Sequence, residues 1–280
     1  MVSSTSCKTM GSGHDPVRSG SPELDIVIPV FNEGVNIVRV LDSLERSVQS
    51  SFRVLICYDD DDDDTIRAVA SRRPSASRIS LIKNQGRGVL EAVKAGLEAT
   101  TAPAVLILPA DDDYNAGRID GMVDRLREGC DVVCASRFMQ GGHVSGFPWL
   151  KAVLVRSSSF LLHHFGRLPT RDATNGLRLF TRRVVKRIPV QSRHGHAYSV
   201  ELLVKAHRLG WRIAEVPALW SDRNERRSRF RVFGWMPTYL HWFCYVFATT
   251  YLGRGPDTVR LSACLPTGQA RNVRGNVTRG

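Results

Sequence analysis

Residues 25–30 read Asp-Ile-Val-Ile-Pro-Val, a short apolar run ended by Pro29 and, past Phe31, by the polar Asn32 and Glu33. A continuous run of this length, without polar alternation, predicts a strand buried on both faces. The next segment, Val35–Val48, sets Ile37, Val40, Leu41 and Leu44 at helical spacing. The same alternation recurs down the chain. Phe52–Tyr58, Arg78–Lys83, Ala104–Leu108 and Asp131–Ser136 predict four more strands, with helices at Thr65–Ser71, Gly88–Ala99 and Ala116–Glu128 between them. Strand and helix in turn, joined by short connections, predict an α/β doubly wound, mostly parallel sheet flanked by helices. Beyond residue 140 the pattern loosens. Helices are expected at Pro148–Phe165 and Ala197–Leu209, and strands at Leu177–Thr181 and Trp211–Val216.

The 280 residues are 42% hydrophobic and 24% charged, ordinary globular values that exclude a disordered, collagen-like or coiled-coil chain. Six Cys are too few for a small disulfide scaffold. Residues 1–22 are rich in Ser and Gly and lack the apolar stretch of a secretory signal, so they read as a flexible tail. Residues 254–280 read as a second tail. Between them lies a domain at 23–232 and an apolar aromatic helix at 233–253. That helix contains Pro237 and His241, and its uninterrupted apolar pieces are short, so it reads as interfacial or packed and not as a span. The expected location is cytoplasmic, peripheral on the membrane face.

Net charge is +12. Basic residues crowd 223–231, whereas acid is concentrated at Asp59–Asp64 and Asp111–Asp113. A positive zone and two acidic zones suit a site that handles a polyanion together with a metal cation. Nucleic acid is not the expected partner. The sequence holds no recognised nucleic-acid module, and Asp59–Asp64 would repel phosphate.

Open α/β sheets bind ligands outside the carboxyl ends of their strands. The polar clusters fall there. Phe31-Asn32-Glu33 follows the first strand, Asp59–Asp64 the second, Asn84–Gly88 the third, Asp111–Asp113 the fourth and Arg137 the fifth. Asp59 and Asp60 stand at a strand end, where a carboxylate can accept from a nucleobase N–H. Asp61–Asp64 read more simply as the acidic start of a helix. Hard cations such as Mg²⁺ and Mn²⁺ prefer oxygen ligands, which makes Asp111–Asp113 a candidate metal centre.

Several pieces occur in order: Asp25–Glu33 (DIVIPVFNE), Tyr58-Asp59-Asp60, Asn84–Gly88 (NQGRG), Pro109–Asp111, Ala135–Phe138 (ASRF) and Arg171–Arg178 (RDATNGLR). Val200–Leu202, Gly210–Pro217 (GWRIAEVP) and Ser228-Arg229 follow. Over about residues 24–245 this set resembles the inverting family 2 glycosyltransferases of the GT-A fold, within them the polyprenyl-phosphate (dolichyl-phosphate) mannosyltransferase group. The resemblance implies transfer of a hexose from a nucleotide-sugar donor to a lipid-phosphate acceptor, with Mg²⁺ or Mn²⁺, at an anionic membrane surface. A separate membrane subunit stays open as a partner, and a soluble sugar or secondary-metabolite hydroxyl stays open as the acceptor.

The resemblance also implies roles by position. Pro29, Phe31 and Glu33 would cradle the nucleoside, with Phe31 where the family has Tyr. Asp59, Asp60, Arg87 and Ser228 complete the donor side. Asp111 stands at the last Asp of the family's D-x-D and would hold the metal with Asp113, while Pro109 replaces the first Asp. Arg137, Arg178, Arg226 and Arg229 would meet the acceptor phosphate. Asp111, Arg137, Asp172, Glu201 and Arg229 form the implied catalytic set. Asp172 and Glu201 are the candidate bases that a hydroxyl acceptor would require.

Overall fold

The computed structural model describes residues 21–72, 78–146, 149–193, 195–221, 232–252 and 258–262. Its elements are β1 (Leu24–Pro29), α1 (Gly34–Ser47), β2 (Phe52–Tyr58), α2 (Asp64–Ser71), β3 (Ile79–Lys83), α3 (Val89–Ala99) and β4 (Ala104–Ile107). A 3₁₀ turn (Ala116–Arg118), α4 (Ile119–Arg127), β5 (Val132–Ser136), β6 (His143–Ser145), α5 (Trp149–His164) and β7 (Arg178–Thr181) follow. The chain continues through α6 (Arg182–Arg187), α7 (Tyr198–Arg208), β8 (Ile213–Pro217), β9 (Leu219–Ser221) and α8 (Val232–Tyr251).

Seven strands form one sheet in the order β3-β2-β1-β4-β7-β5-β8. All run parallel except β7, which is antiparallel to both β4 and β5. One antiparallel strand among seven fits the expected mostly parallel sheet. β6 and β9 form a separate parallel ribbon that short, mixed-polarity sequence did not announce.

Strand side chains alternate between two apolar layers. Ile26, Ile28, Val54, Ile56 and Leu106 pack with α1 and α4 on one face. Val27, Leu55, Cys57, Val105 and Ile107 pack with α3, α6, α7 and α8 on the other. Each fully buried aliphatic side chain contributes roughly 2 kcal/mol, and two-sided burial explains why the strands read as continuous apolar runs. Gly96 permits the close approach of α3. A Cβ there would lie 2.4 Å from a Val27 methyl and 2.8 Å from Cys57 Sγ.

At the amino edge of the sheet, Asp25 is fully buried and satisfied. It accepts from Arg53 Nε and Nη2 at 2.9 and 3.0 Å, and from the Thr101 and Ala102 amides at 2.6 and 2.9 Å. Truncating such a carboxylate leaves buried donors unpaired, at a cost of about 3 kcal/mol.

The aromatic helix α8 is packed along one face. Trp242, Val246 and Thr249, spaced at four and three residues, are buried. Trp242 Nε1 donates to Ser192 Oγ at 2.9 Å, and Lys205 Nζ lies 5.2 Å from the Trp242 ring centre. Its opposite face, including Leu240 and Tyr251, is exposed. The expected tails lie almost entirely outside the described residues. Residues 258–262 differ from that expectation: Val259 is buried and the Ser262 amide donates to Arg187 O at 2.9 Å.

Candidate functional site

The carboxyl ends of β1–β5 share one edge of the sheet, and β1 lies between β2 and β4, where the winding reverses. That switch point is where a doubly wound sheet opens a crevice. The loops around it are braced by buried acids. Asn32 sits in the left-handed region at φ 53°, a conformation that Asn tolerates. Its amide donates to Asp63 Oδ2 at 3.0 Å, the Glu33 amide to Thr65 Oγ1 at 3.0 Å and the Gly34 amide to Asp64 Oδ1 at 2.9 Å. Asp63 also caps α2 by accepting from the Thr65 amide at 2.8 Å. The loops after β1 and β2 are thus locked together. Phe31 projects from this clamp, 54% exposed, with Asp60 exposed beside the same strand ends.

Asp59 braces the next pair of loops. It accepts from Asn84 Nδ2 at 2.9 Å and from the Gly88 amide at 2.7 Å. Gly88 holds φ 91°, which disfavours any side chain there. Each Asp59 oxygen thus accepts one bond within the protein, so this half-buried carboxylate braces the loops at the strand end where the nucleobase is expected. Arg87 is exposed in the loop that Asp59 fixes.

After β4, Asp112 is buried and bonded to Asn115, whose Nδ2 lies 2.8 and 2.9 Å from its two oxygens. Burial pushes its carboxyl up to about 6. Asn115 exchanges bonds with Leu219, Nδ2 to O at 2.9 Å and N to Oδ1 at 2.8 Å, tying this loop to β9. Asp111 is exposed and Asp113 is half-buried. These two carboxylates are hard oxygen donors and fit a divalent cation. Among the described residues no group of three or more His, Cys, Asp or Glu side chains could hold a metal. A cation here would complete its shell with diphosphate oxygens and water, as Mg²⁺ commonly does.

The acceptor side is built on β5 and the loop before β7. Arg137 and Asp172 form a buried, two-pronged ion pair, Nε to Oδ2 at 2.7 Å and Nη2 to Oδ1 at 2.8 Å. Asp172 Oδ2 also accepts from the Arg137 amide at 2.9 Å. Glu215 accepts from Thr170 Oγ1 at 2.6 Å and from the Arg171 amide, and so holds the loop that carries Asp172. Sequence reasoning quoted Glu215 inside a motif but gave it no role.

Two implied residues are placed elsewhere. Arg178 is fully buried and donates to the Ser199 carbonyl and to Ala173 O at 3.1 Å. It is a core residue that anchors the loop before β7, not a contact for an acceptor phosphate. Glu201 is fully buried, accepting from the Gln191 and Ser192 amides at 2.6 and 2.7 Å and pairing with Lys205 at 2.5 Å. It holds α7 to the 189–192 segment and offers no exposed carboxylate. Pro29, Phe31, Glu33, Asp59, Asp60, Arg87, Asp111, Asp113, Arg137 and Asp172 do gather along the carboxyl edge of the sheet. Arg226, Ser228 and Arg229 lie outside the described residues.

Sequence comparison matches residues 25–189 to the family model "Glycosyl transferase family 2". The chain is 29% identical to a dolichyl-phosphate hexose transferase of Haloferax volcanii over 205 residues, covering 72% of this chain and 84% of that one. It is 24% identical to a polyprenol monophosphomannose synthase of Mycolicibacterium smegmatis over 248 residues, covering 81% and 92%. In structure it resembles glucosyl-3-phosphoglycerate synthase of Mycobacterium tuberculosis, solved with Mn²⁺, UDP-glucose and phosphoglyceric acid. That likeness has a TM-score of 0.61 at 20% identity and covers 81% of this chain and 80% of that one. It bears on the fold alone, which is the GT-A arrangement. The chain belongs to glycosyl transferase family 2 and is a glycosyltransferase.

Proposed function

We propose that this enzyme moves a hexose from a nucleoside-diphosphate sugar to a polyprenyl phosphate, with inversion, at the cytoplasmic face of an anionic membrane. The observation that carries the reading is the state of the two candidate bases. A hydroxyl acceptor needs a placed carboxylate to take its proton. Asp172 is committed to Arg137, and Glu201 is buried against Lys205. A phosphate monoester has its second pKa near ~6 and arrives largely as a dianion, so it attacks without a base. The names of the Haloferax and Mycolicibacterium relatives support the same acceptor class.

In this reading the braced loops after β1 and β2 hold the nucleoside, with Phe31 against the base and Asp60 accepting from it. Asp111, with Asp113, would hold a divalent cation, which when bound neutralises charge on the departing diphosphate. Arg137, oriented by Asp172, directs the acceptor phosphate towards the anomeric carbon. Attack from the face opposite the diphosphate inverts that carbon. No proton need be moved at the acceptor oxygen.

The test is an acceptor comparison. The purified chain, given GDP-mannose or UDP-glucose with Mn²⁺, is expected to glycosylate a detergent-dispersed polyprenyl phosphate and to leave phosphoglycerate and free sugars unmodified. Efficient transfer to a soluble hydroxyl with no lipid present would replace this reading with the soluble-acceptor one.

A further inference from the structure

Among the described residues, large exposed apolar side chains concentrate on α5: Trp149 (77% exposed), Val153, Leu154, Phe160, Leu161 and Phe165 just past its end. Trp149, Val153 and Phe160 recur at helical spacing and share one face; Leu154 and Leu161 lie about 100° round the helix from it, with the exposed Ser157 and His164 between. Leu162 and Ser159 face the other way and are buried. Soluble proteins usually scatter exposed apolar residues singly, whereas a contiguous patch marks an interaction surface. The patch continues onto α8, because Tyr251, itself exposed, donates from its hydroxyl to Phe165 O at 3.0 Å.

Charge indicates what this surface meets. No Asp or Glu occurs anywhere in 132–171, which holds Arg137, Lys151, Arg156, Arg167 and Arg171. The segment 226–256, which contains α8, is likewise free of acid. In a chain with 27 acidic residues, α5 and α8 thus both lie in stretches with basic charge only. Arg137 and Arg171 are paired with Asp172 and Glu215, and aromatic and aliphatic residues beside the other basic side chains match an anionic lipid interface.

The patch also adjoins the acceptor side of the site. The Arg156 guanidinium lies 5.5 Å from the centre of the Phe138 ring, and Arg137 lies 5.4 Å from the same ring. Ser159 Oγ is 3.4 Å from Thr174 Oγ1, two residues beyond Asp172. A membrane held by α5 would therefore present lipid phosphates beside Arg137.

We infer that the outward face of α5, continued by the end of α8, is the surface on which this enzyme rests on an anionic bilayer. The inference deepens the lipid-acceptor reading and names α5 as the principal contact. It is tested with the full chain and sedimenting vesicles that contain no polyprenyl phosphate, of phosphatidylcholine alone or mixed with phosphatidylglycerol. Binding to the mixed vesicles and not to the neutral ones is expected, weakening as salt rises to about 0.5 M. Val153→Gln combined with Phe160→Gln should weaken vesicle binding roughly tenfold or more, since two exposed apolar contacts are lost. Its melting temperature and nucleotide-sugar affinity should stay at the wild-type values. Vesicle binding unchanged in the double variant would overturn the inference, as would a wild type that ignores both vesicle types or a variant whose only change is loss of a dimer. A wild type that ignores vesicles but glycosylates detergent-dispersed polyprenyl phosphate would sink this inference and leave the acceptor reading standing. Vesicle binding with transfer only to a soluble acceptor would do the reverse.

Discussion

Asp63 sits in a run of six aspartates, yet each of its oxygens has a defined task, one on the Asn32 amide and one on the Thr65 amide. Its neighbour Asp62 is exposed. Asp63→Ala should therefore cost about 2 kcal/mol, the sum of a lost helix cap and an orphaned amide, and weaken nucleotide binding by loosening Phe31. Asp62→Ala should change neither property. Urea titration and calorimetry on the two variants separate these outcomes. Arg137 gives a second prediction at this scale. Arg137→Lys keeps the charge but loses the two-pronged pairing with Asp172, so kcat/KM should fall about 100-fold with the fold intact. Near-normal turnover in that variant would mean that only charge matters there.

At the scale of elements, α8 is joined to the domain by a small buried polar group. Trp242 bonds Ser192, Ser192 bonds Glu201 and Glu201 pairs with Lys205 beneath the Trp242 ring. Trp242→Phe keeps an aromatic ring but removes the N–H and part of the buried indole, and should cost about 1–2 kcal/mol in thermal or urea unfolding while helix content stays constant. The elements themselves were largely legible. The strands over 52–58, 104–108 and 131–136 read correctly because burial on both faces leaves an uninterrupted apolar signature. The β6–β9 ribbon and α6 were not legible, being three to six residues long with mixed polarity. The antiparallel direction of β7 leaves no mark in four residues reading Arg-Leu-Phe-Thr.

The site was legible as a set of strand ends and illegible as a division of labour. Position along the chain placed Asp59, Asp60 and Asp111 at the correct edge. It could not tell that Asp59 would face Gly88 and Asn84, since those partners are 25 to 29 residues away. Arg178 and Glu201 misled for a related reason. A charged residue in a motif suggests chemistry, but here each is fully buried, Arg178 against carbonyls and Glu201 against amides and a lysine.

Over the whole molecule, two buried groups give stability opposing pH dependences. Burial lowers His196 from 6.5 to about 4, so the unfolded chain takes up a proton between those values that the folded chain refuses. That contribution is complete above 6.5 and is lost as pH falls towards 4. Asp112 acts in the opposite sense. Its carboxyl is raised to about 6, so the folded chain keeps a proton that the unfolded chain has released, and stability from this group rises as pH falls through 6. Comparing wild type with His196→Gln isolates the first. The variant should gain on the wild type progressively below pH 6.5, by on the order of 1 kcal/mol near pH 5, in urea melts. A constant difference across that window would place the ring in a more polar setting.

The central claim is that the carboxyl edge of this sheet holds a nucleoside-diphosphate sugar with a divalent cation at Asp111. Calorimetric titration of the full chain with GDP-mannose and UDP-glucose, with and without Mn²⁺, tests it directly, with Asp111→Ala alongside. One of the two nucleotides should bind, more tightly with the metal, and the metal's effect should vanish in Asp111→Ala. Folded protein that binds neither nucleotide, or an Asp111→Ala variant that responds to Mn²⁺ as the wild type does, would contradict it.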